Sequence, residues 1–479
     1  MTDLRASARP DPAGPPGRGS RRPRPEFFRA VWRWHFYASF LVIPVLLMLA
    51  VTGLIYLFRF QLEPLINQDL MKVEQQPGTV AQPYSTQQVV AEREVPDGTA
   101  LSMTEPSAAD RSTVFSFEMA DGSTRDVYVD PYTLEALGSL DPDKTLSGYA
   151  VRLHGELMAG TLGDAVIELA ACWAIVMALS GYYLFVRGWR ARRRNLARGQ
   201  PGARLRHRHG LVGACVGVGL LFLLVSGLPW TGFWGAKVQE VATSQGSSLW
   251  STDHGAISDP TSSLDESLPH SHQEELSWAQ EEQQVPRSDS HGDAASEGSV
   301  ATIDTAVVVA DDEGLRHPMT VTIPTADDGV FSVIGYAFDA PTDERTVHVD
   351  RYGAQVVSTY GFENYPALAK VVAMGIGLHE GRALGGVNMA LSALLCLAVI
   401  FSCVSGPLMW WRRRPERASS VGAPRGRLPL RTTPWLVVAL VALGVLLPFF
   451  GMSVVAVLLL DHLVVRRVPA LARAADSTE

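Results

Sequence analysis

Five apolar runs, each long enough to cross a bilayer as a helix, constrain this chain more than any other feature. A hydrocarbon core of about 30 Å needs roughly 20 helical residues. The runs cover residues 36–58, 165–186, 211–234, 386–411 and 434–460. Apolar residues make up 47% of the chain and charged residues 19%, and their clustering into runs is typical of membrane proteins. We therefore predict a polytopic α-helical membrane protein.

Arginine predicts the orientation, because cytoplasmic flanks of membrane helices are rich in Lys and Arg. Residues 187–210 contain nine Arg and no acidic residue, and residues 412–431 contain seven Arg and one Glu. The N-terminal arm is also Arg-rich. We expect all three stretches to be cytoplasmic, with the segments 60–150 and 235–378 outside.

The last apolar run allows two arrangements. It is either one tilted helix kinked at Pro448 and Gly451, or a hairpin that returns Arg466 and Arg467 to the cytoplasm. We favour the single span, because each half alone is too short to cross.

The sequence also indicates what lies between the membrane helices. Residues 251–300 contain eleven Asp or Glu and one Arg, which is typical of a flexible insert. Both outer segments contain β-type runs and end alike, in YVDPYTLEAL and HVDRYGAQVV, so each is predicted to hold a small α+β domain. The predicted segments are a disordered basic arm (1–25), helix 1 (26–60), outer domain 1 (61–145), helix 2 (146–188), a basic loop (189–208), helix 3 (209–235), an acidic flexible insert (236–300), outer domain 2 (301–365), helix 4 (366–411), a second basic loop (412–432) and a C-terminal helix or hairpin (433–465).

The four core helices read as two repeats of one unit. His35 and His209 each lie 17 residues before a Ser/Thr-Gly pair, at Thr52 and Ser226. In the second helix of each unit the spacing from histidine to Ser-Gly is 26 residues. It runs from His154 to Ser180 and from His379 to Ser405.

The topology sorts these histidines into an inner pair, His35 with His209, and an outer pair, His154 with His379. Two axial imidazoles suit haem iron that transfers electrons, because they leave no open coordination position. We predict haem b, one or two per chain, with these four histidines as iron ligands. A single histidine near a membrane interface is as often a polar anchor, but four in register favour ligation.

Arginines beside the pairs are candidates for the haem carboxylates, since a guanidinium fork suits a carboxylate. Arg152 and Arg382 accompany the outer pair, where the positive-inside rule does not account for them. Arg33 and Arg208 accompany the inner pair, where that rule does. Glu156 and Glu380 follow the outer histidines and would orient them or face substrate.

The remaining histidines and the cysteines are assigned no chemistry. His207 is expected on the basic face, although it could replace His209. Four histidines lie in the insert, at 254, 270, 272 and 291, and the pair His270 and His272 would hold a metal only weakly. His317, His348 and His462 are expected at the surface. The four cysteines fall in apolar runs without CxxC spacing, which excludes a cysteine-ligated cluster and covalent haem attachment.

Several motifs are absent from the sequence. It contains neither a GxGxxG after a strand nor a phosphate-binding Walker loop, so no nicotinamide, flavin or ATP site is evident. Electrons would then come from a separate cytoplasmic donor or a quinone, and the Arg-rich inner face suits an acidic donor protein. We expect membrane lipid around the helices and no nucleic-acid partner.

These residues resemble the PepSY-associated transmembrane family of iron-regulated, PiuB-like membrane proteins. The matching pieces include FFRAVWRWHFYASFLVIPVLLMLAVTGLIY, VYVDPYTLEALG, RLHGELMAGTLGDAVIELAACWAIVMALSGYYLF, RHRHGLVGACVGVGLLFLLVSG and LHEGRALGGVN followed by VSGPLMWW. The resemblance covers about residues 27–465. It implies outer PepSY domains, iron-responsive expression, a bacterial inner-membrane location and, for some members, reduction of ferric siderophores by membrane haem.

Two functions are compatible with these features. We favour a membrane haem oxidoreductase that passes electrons from the cytoplasm to an external ferric complex. The alternative is a non-enzymatic iron or siderophore permease, or a metal-binding sensor. A transporter usually needs discontinuous helices or charge near the bilayer midplane, and Glu168 comes nearest to that description.

Overall fold

The computed structural model describes residues 26–75, 77–244, 262–263, 280, 284–288, 301–335, 340–365, 367–413, 434–465 and 467–468. The predicted basic arm, most of the insert and most of the second basic loop lie outside the described residues. The elements are α1 (Glu26–Leu57), α2 (Arg59–Ile66), α3 (Gln68–Met71), α4 (Tyr84–Glu94), β1 (Gly98–Thr104), β2 (Thr113–Met119), β3 (Thr124–Val129), β4 (Ala136–Leu140), α5 (Leu146–Glu156), α6 (Gly160–Ala197), α7 (Ala203–Gly227), α8 (Gly232–Ser244), β5 (Ser262–Ser263), β6 (Gln284–Val285), α9 (Ile303–Asp312), β7 (Thr320–Thr322), β8 (Phe331–Ile334), β9 (Arg345–Val349), β10 (Val356–Gly361), α10 (Ala367–His379), α11 (Gly385–Trp411), α12 (Pro434–Leu446) and α13 (Pro448–Leu460).

Four helices of the described part are long and apolar enough to cross a membrane: α1, α6, α7 and α11. α6 packs against α1 and α7, and α11 packs against the same two helices from the other side. The four therefore close into a ring. Val42, Cys172, Leu224 and Val399 are buried between them. Each helix presents both a lipid-facing and an inward-facing surface, which is how a bundle holds sites between its helices.

The predicted helices 146–188 and 366–411 are each broken near the outer end, so the prediction of one continuous helix is wrong in both places. α5 ends where Leu157 and Met158 take left-handed φ values of 54° and 53°, which non-glycine residues rarely adopt. α10 ends before Gly381 and Gly385, with φ values of 82° and 59°. His154 lies in the last turn of α5 and His379 is the last residue of α10.

The C-terminal apolar run is a hairpin, and the favoured single span is wrong. Gly444 and Gly451 pack against each other, because a Cβ on Gly451 would lie 3.0 Å from Gly444 Cα. Pro448 lacks the N–H that a continuous helix would need there. At the tip, Leu447 and Phe450 are buried in the bundle, and Trp173 Nε1 donates a hydrogen bond to Ser453 Oγ at 2.9 Å. Helices of this length suit a re-entrant segment.

The two segments between membrane helices contribute to one antiparallel sheet. Its strand order is β10-β9-β8-β7-β1-β2-β3-β4. The halves join where β1 pairs with β7, with Ser102 opposite Thr322 and Thr104 opposite Thr320. One face carries buried residues such as Phe115, Val321 and Val347 and packs on α4 and α9. We call the end of the bundle that carries this sheet the sheet end. The opposite end, where Arg187, Arg192, Arg206 and Arg413 lie, is the arginine end.

Two expectations about the sheet end need correction, those for His348 and for residues 236–244. His348 is not a surface residue: it is fully buried on β9, and its Nδ1 lies 2.8 Å from Ser332 Oγ. Burial lowers its pKa to about 3. His317 is half-exposed, but its Nδ1 lies 2.5 Å from the buried carboxylate of Glu105. Residues 236–244, predicted as flexible insert, are part of helix α8.

Candidate functional site

His35 projects from α1 onto α6. Its Nδ1 lies 3.0 Å from Ser180 Oγ and 3.1 Å from the carbonyl oxygen of Met177. A carbonyl oxygen only accepts hydrogen bonds, so Nδ1 must carry the ring proton. Nε2 of the neutral imidazole then holds a free electron pair.

The same contact occurs at all four histidines. Each Nδ1 meets the hydroxyl of a Ser/Thr-Gly pair on a different helix: His154 on Thr52 at 2.9 Å, His209 on Ser405 at 2.8 Å and His379 on Ser226 at 2.9 Å. Each hydroxyl also donates to a carbonyl three or four residues earlier in its own helix. Its proton is thereby used, so it accepts from Nδ1–H. All four rings share one tautomer, with Nε2 available as a ligand.

The glycine after three of the four hydroxyls leaves room for the imidazole. A Cβ on Gly181 would lie 3.3 Å from His35 Cε1, and one on Gly227 would lie 3.4 Å from His379 Cε1. The corresponding distance from Gly53 to His154 is 3.6 Å. Gly406 differs, because a Cβ there would meet Ile43 Cδ1 at 3.6 Å and no histidine.

The structure brings His154 and His379 together at the sheet end. Their ring centroids are 6.3 Å apart, and the ring planes are inclined by 82°. Two nitrogens on one metal ion are about 4 Å apart, twice the metal–nitrogen distance of roughly 2 Å. The ring centres must be somewhat further apart, so this spacing suits two imidazoles on opposite sides of one metal. Trp230 lies beside the pair, 6.0 Å from the His379 ring.

His35 and His209 line one cavity of about 820 Å³ at the arginine end. Its walls come from α1, α6, α7 and α11 and are mainly apolar. Trp32, Phe36, Gly181, Gly217 and Trp410 are among them. A cavity of this size and lining is large enough for a cofactor.

A family model described as the PepSY-associated TM region matches residues 32–413. The chain belongs to this family. It is therefore a multi-pass membrane protein of the PepSY-associated type, in agreement with its four long apolar helices. No curated protein matches the chain significantly.

The two arginines predicted for this PepSY-associated protein's site differ in surroundings. Arg382 donates to Glu344 at 2.9 Å and to Glu380 at 2.6 Å, so its charge is already balanced. Tyr365 also donates to Glu344, so Glu344, next to β9, holds both the segment before α10 and the loop before α11. Arg152 Nε is buried and has no hydrogen-bond partner among the described residues. Of the two, Arg152 is better placed to receive an added carboxylate.

At the arginine end, the two arginines predicted from the sequence do not reach the cavity. Arg33 and Arg208 do not line it. The residues that do line it, and that we missed, are Arg187, Arg192, Arg206 and Arg413. Residues 187–210 contain nine arginines with no motif to separate them. Only the rotation of the helices about their axes decides which of them point inward.

The other candidate residues of the PepSY-associated chain make contacts that do not place them at a histidine pair. Glu380 holds Arg382, and the Glu168 side chain is buried, with Oε2 accepting from the Phe233 N–H at 3.2 Å. His207 lies outside the cavity lining, with its ring 6.3 Å from that of Trp189. Among the described residues no three of His, Cys, Asp and Glu form a metal-binding group. A metal bound at either histidine pair would need further ligands from a cofactor.

Proposed function

We propose that this protein is a membrane haem oxidoreductase that passes electrons from the cytoplasm to an extracytoplasmic ferric complex. The observation that carries the proposal is the set of four imidazoles, each held by Nδ1 so that Nε2 is the ligating atom. They occur as two pairs at opposite ends of one four-helix ring. Haem b at each pair would supply a one-electron carrier, and its macrocycle would supply the ligands that the protein lacks.

The residues around each pair support this fit. Hydrogen bonds from Nδ1–H to a hydroxyl fix the direction of the ring and the tautomer, as second-shell partners do at metal sites. The imidazole rings lie against Gly53, Gly181 and Gly227, which have no side chain to occupy that space. Arg152 provides a buried donor without a partner among the described residues, which suits a haem carboxylate.

Orientation gives the route its direction. The positive-inside rule places the arginine end in the cytoplasm, with the N-terminus, and the sheet end outside. We assign the protein to the bacterial inner membrane because of its resemblance to PiuB-like members of the family. The helix and strands of each outer segment are read as PepSY-like domains, and the two helix pairs as repeats.

The outer substrate is proposed to be a ferric siderophore or another ferric complex, as in the PiuB-like reductase subtype. One electron converts Fe(III) to Fe(II), and hard oxygen ligands hold Fe(II) less strongly. A cytoplasmic donor protein or a quinone would supply that electron, since the sequence has no nucleotide or flavin motif. Iron would then leave its complex at the sheet end.

One observation favours the alternative of a permease or metal-binding sensor. The Glu168 side chain is fully buried in α6, and its Oε1 has no hydrogen-bond partner among the described residues. Buried acidic groups in membrane helices commonly mark ion pathways. Glu168 is a single residue outside both histidine pairs. The oxidoreductase function accounts for all four histidines and so explains more of the structure.

Vesicles containing the haem-loaded full-length protein test the proposal. An electron donor is trapped inside, a membrane-impermeant ferric complex is added outside, and Fe(II) is followed with an external chelator. Fe(II) should appear outside only with the donor present, and His35→Ala or His379→Ala should abolish it. Accumulation of labelled iron inside vesicles that contain no donor would support the permease and contradict the reductase.

A further inference from the structure

Among the arginines of the arginine end, the structure selects a few that face inward. Six of the nine in residues 187–210 are exposed and do not line the cavity. Arg192 and Arg206 are half-buried and line it, together with the exposed Arg187 and Arg413. Arginines that serve only to orient the helices in the membrane can lie in the water outside the bilayer. They do not need to line a cavity.

These guanidinium groups have no carboxylate partner among the described residues. No Asp or Glu lines the cavity in the part of the chain that the structure describes. Arg192 donates to the carbonyl oxygens of Leu184 and Phe185, and its Nε is buried with no partner among the described residues. Within the described part of the chain, Arg206 donates to the carbonyl oxygen of Pro201 and Arg413 to that of Met409.

Like charges at this site also repel one another. Burial, and after it the positive charge of Arg206, lower the pKa of Arg413. At the sheet end, by contrast, two carboxylates balance Arg382. The half-buried Arg192 and Arg206, the like charge of Arg413 and an unused buried donor on Arg192 together form a site for an anion with several oxygen acceptors.

The rest of the cavity lining indicates what kind of ligand would carry this anion. Apolar side chains from four helices line it together with the arginines and the two histidines. A ligand that fills the cavity must have a flat or flexible apolar body, a group to which the imidazole nitrogens can bind, and an anionic edge. Haem has these features, with two carboxylates on one edge.

We propose that Arg192, Arg206 and Arg413 form the carboxylate anchor of the arginine-end site, binding the two propionates of the haem held by His35 and His209. The inference rests on the proposed function, because it requires haem at that pair. It adds which residues fix the haem's orientation: the carboxylate edge would face the arginine end and the iron the histidines.

The test compares two triple variants in full-length protein carrying His379→Ala, which leaves only the arginine-end pair complete. One variant is Arg192→Gln, Arg206→Gln, Arg413→Gln. The matched control is Arg193→Gln, Arg204→Gln, Arg412→Gln, which removes equal charge from exposed residues that do not line the cavity. Each apoprotein is titrated with haemin and with haemin dimethyl ester, and binding is followed by absorbance.

The parent and the control should bind haemin roughly 10- to 100-fold more tightly than the ester, the range that charge-assisted hydrogen bonds contribute. The anchor variant should lose that discrimination while still binding the ester as the parent does. Because the ratio is measured within each variant, partial misfolding does not imitate the result.

Two outcomes contradict different claims. If the anchor variant still prefers haemin over the ester as strongly as the control does, the carboxylate anchor is wrong and the proposed function survives. If neither the parent nor the wild-type chain binds haemin at all, the proposed function itself fails.

Discussion

At the sheet end His154 and His379 lie with their ring centroids 6.3 Å apart, beside an arginine that two carboxylates already balance. At the arginine end His35 and His209 line a cavity of about 820 Å³, and the described residues offer its arginines no carboxylate. Yet the imidazoles of both pairs are held by the same Nδ1-to-hydroxyl contact.

Two sets of residues have different roles at each histidine pair. Helix-to-helix hydrogen bonds set the tautomer and direction of each imidazole, and they are the same at both ends. The surroundings set charge and access, and they differ. We therefore expect both pairs to bind haem, with the sheet-end haem enclosed between rings and the arginine-end haem reached through an open cavity.

The largest expected effect comes from removing a ligand. His154→Ala and His35→Ala should each lower the haem content of the purified protein by about half, since a site with two protein ligands loses one of them. The two variants should lose different haems. In His379→Ala the remaining haem should react faster with added cyanide than the one remaining in His35→Ala, because it adjoins the open cavity. Equal rates would contradict the difference in access.

Removing the hydroxyl partner should have the next largest effect. Thr52→Val and Ser405→Ala leave one histidine of each pair without its Nδ1 acceptor, and loss of such a partner typically costs 10–100-fold in metal affinity. Haem titration of each apoprotein measures this. Ser39→Ala is the control, since Ser39 lines the cavity and its hydroxyl, among the described residues, bonds only to the Phe36 carbonyl. A similar loss in Ser39→Ala would show that the histidine contact is not the cause.

Glycine substitutions sharpen the comparison within one motif. Gly181→Ala puts a methyl 3.3 Å from His35 Cε1, whereas Gly406→Ala meets only Ile43 at 3.6 Å. Overpacking of the first kind costs roughly 1 kcal/mol or more, so haem affinity should fall about fivefold in Gly181→Ala. Gly406→Ala should bind like wild type. Equal losses in the two variants would contradict the assigned role of Gly181.

The smallest effect is a pH response confined to the sheet end. Burial alone would lower the pKa of His317, but the Glu105 and Asp311 carboxylates raise it above its ordinary value. A raised pKa stabilises the fold fully below about pH 6.5, the unfolded value, and this contribution is lost as pH rises through the folded pKa. The protection of sheet amides, relative to the intrinsic exchange rate at each pH, should therefore fall as the pH rises above about 6.5, and His317→Gln should remove that dependence.

The control for this prediction is the arginine end. Exchange in α7 should show no matching change, because the described cavity lining there has no acidic residue. A pH response that persists unchanged in His317→Gln would show that another group is responsible.

The sequence predicted the membrane helices and the four histidines because both depend on residue type and spacing along one chain. It marked Thr52, Ser180, Ser226 and Ser405 by spacing but did not indicate what their hydroxyls contact. Their role as Nδ1 partners depends on which helices are neighbours. His35 meets Ser180 of α6, and His154 meets Thr52 of α1.

Other features depended on geometry that spacing does not encode. The breaks after α5 and α10 arise at left-handed residues, two of them the non-glycine Leu157 and Met158. The C-terminal hairpin depends on the Gly444–Gly451 approach and on burial of its tip against Trp173. Selection of Arg192 and Arg206 needed the rotation of α6 and α7 about their axes.

The most direct test of the central claim is the haem-to-protein ratio of the purified full-length protein, measured together with its low-temperature electron paramagnetic resonance spectrum. If the four histidines bind haem as two axial pairs, the protein contains about two b-type haems, both low-spin with two imidazole ligands. A colourless protein after expression with ample haem, or haem whose spectrum lacks paired imidazoles, would contradict the account.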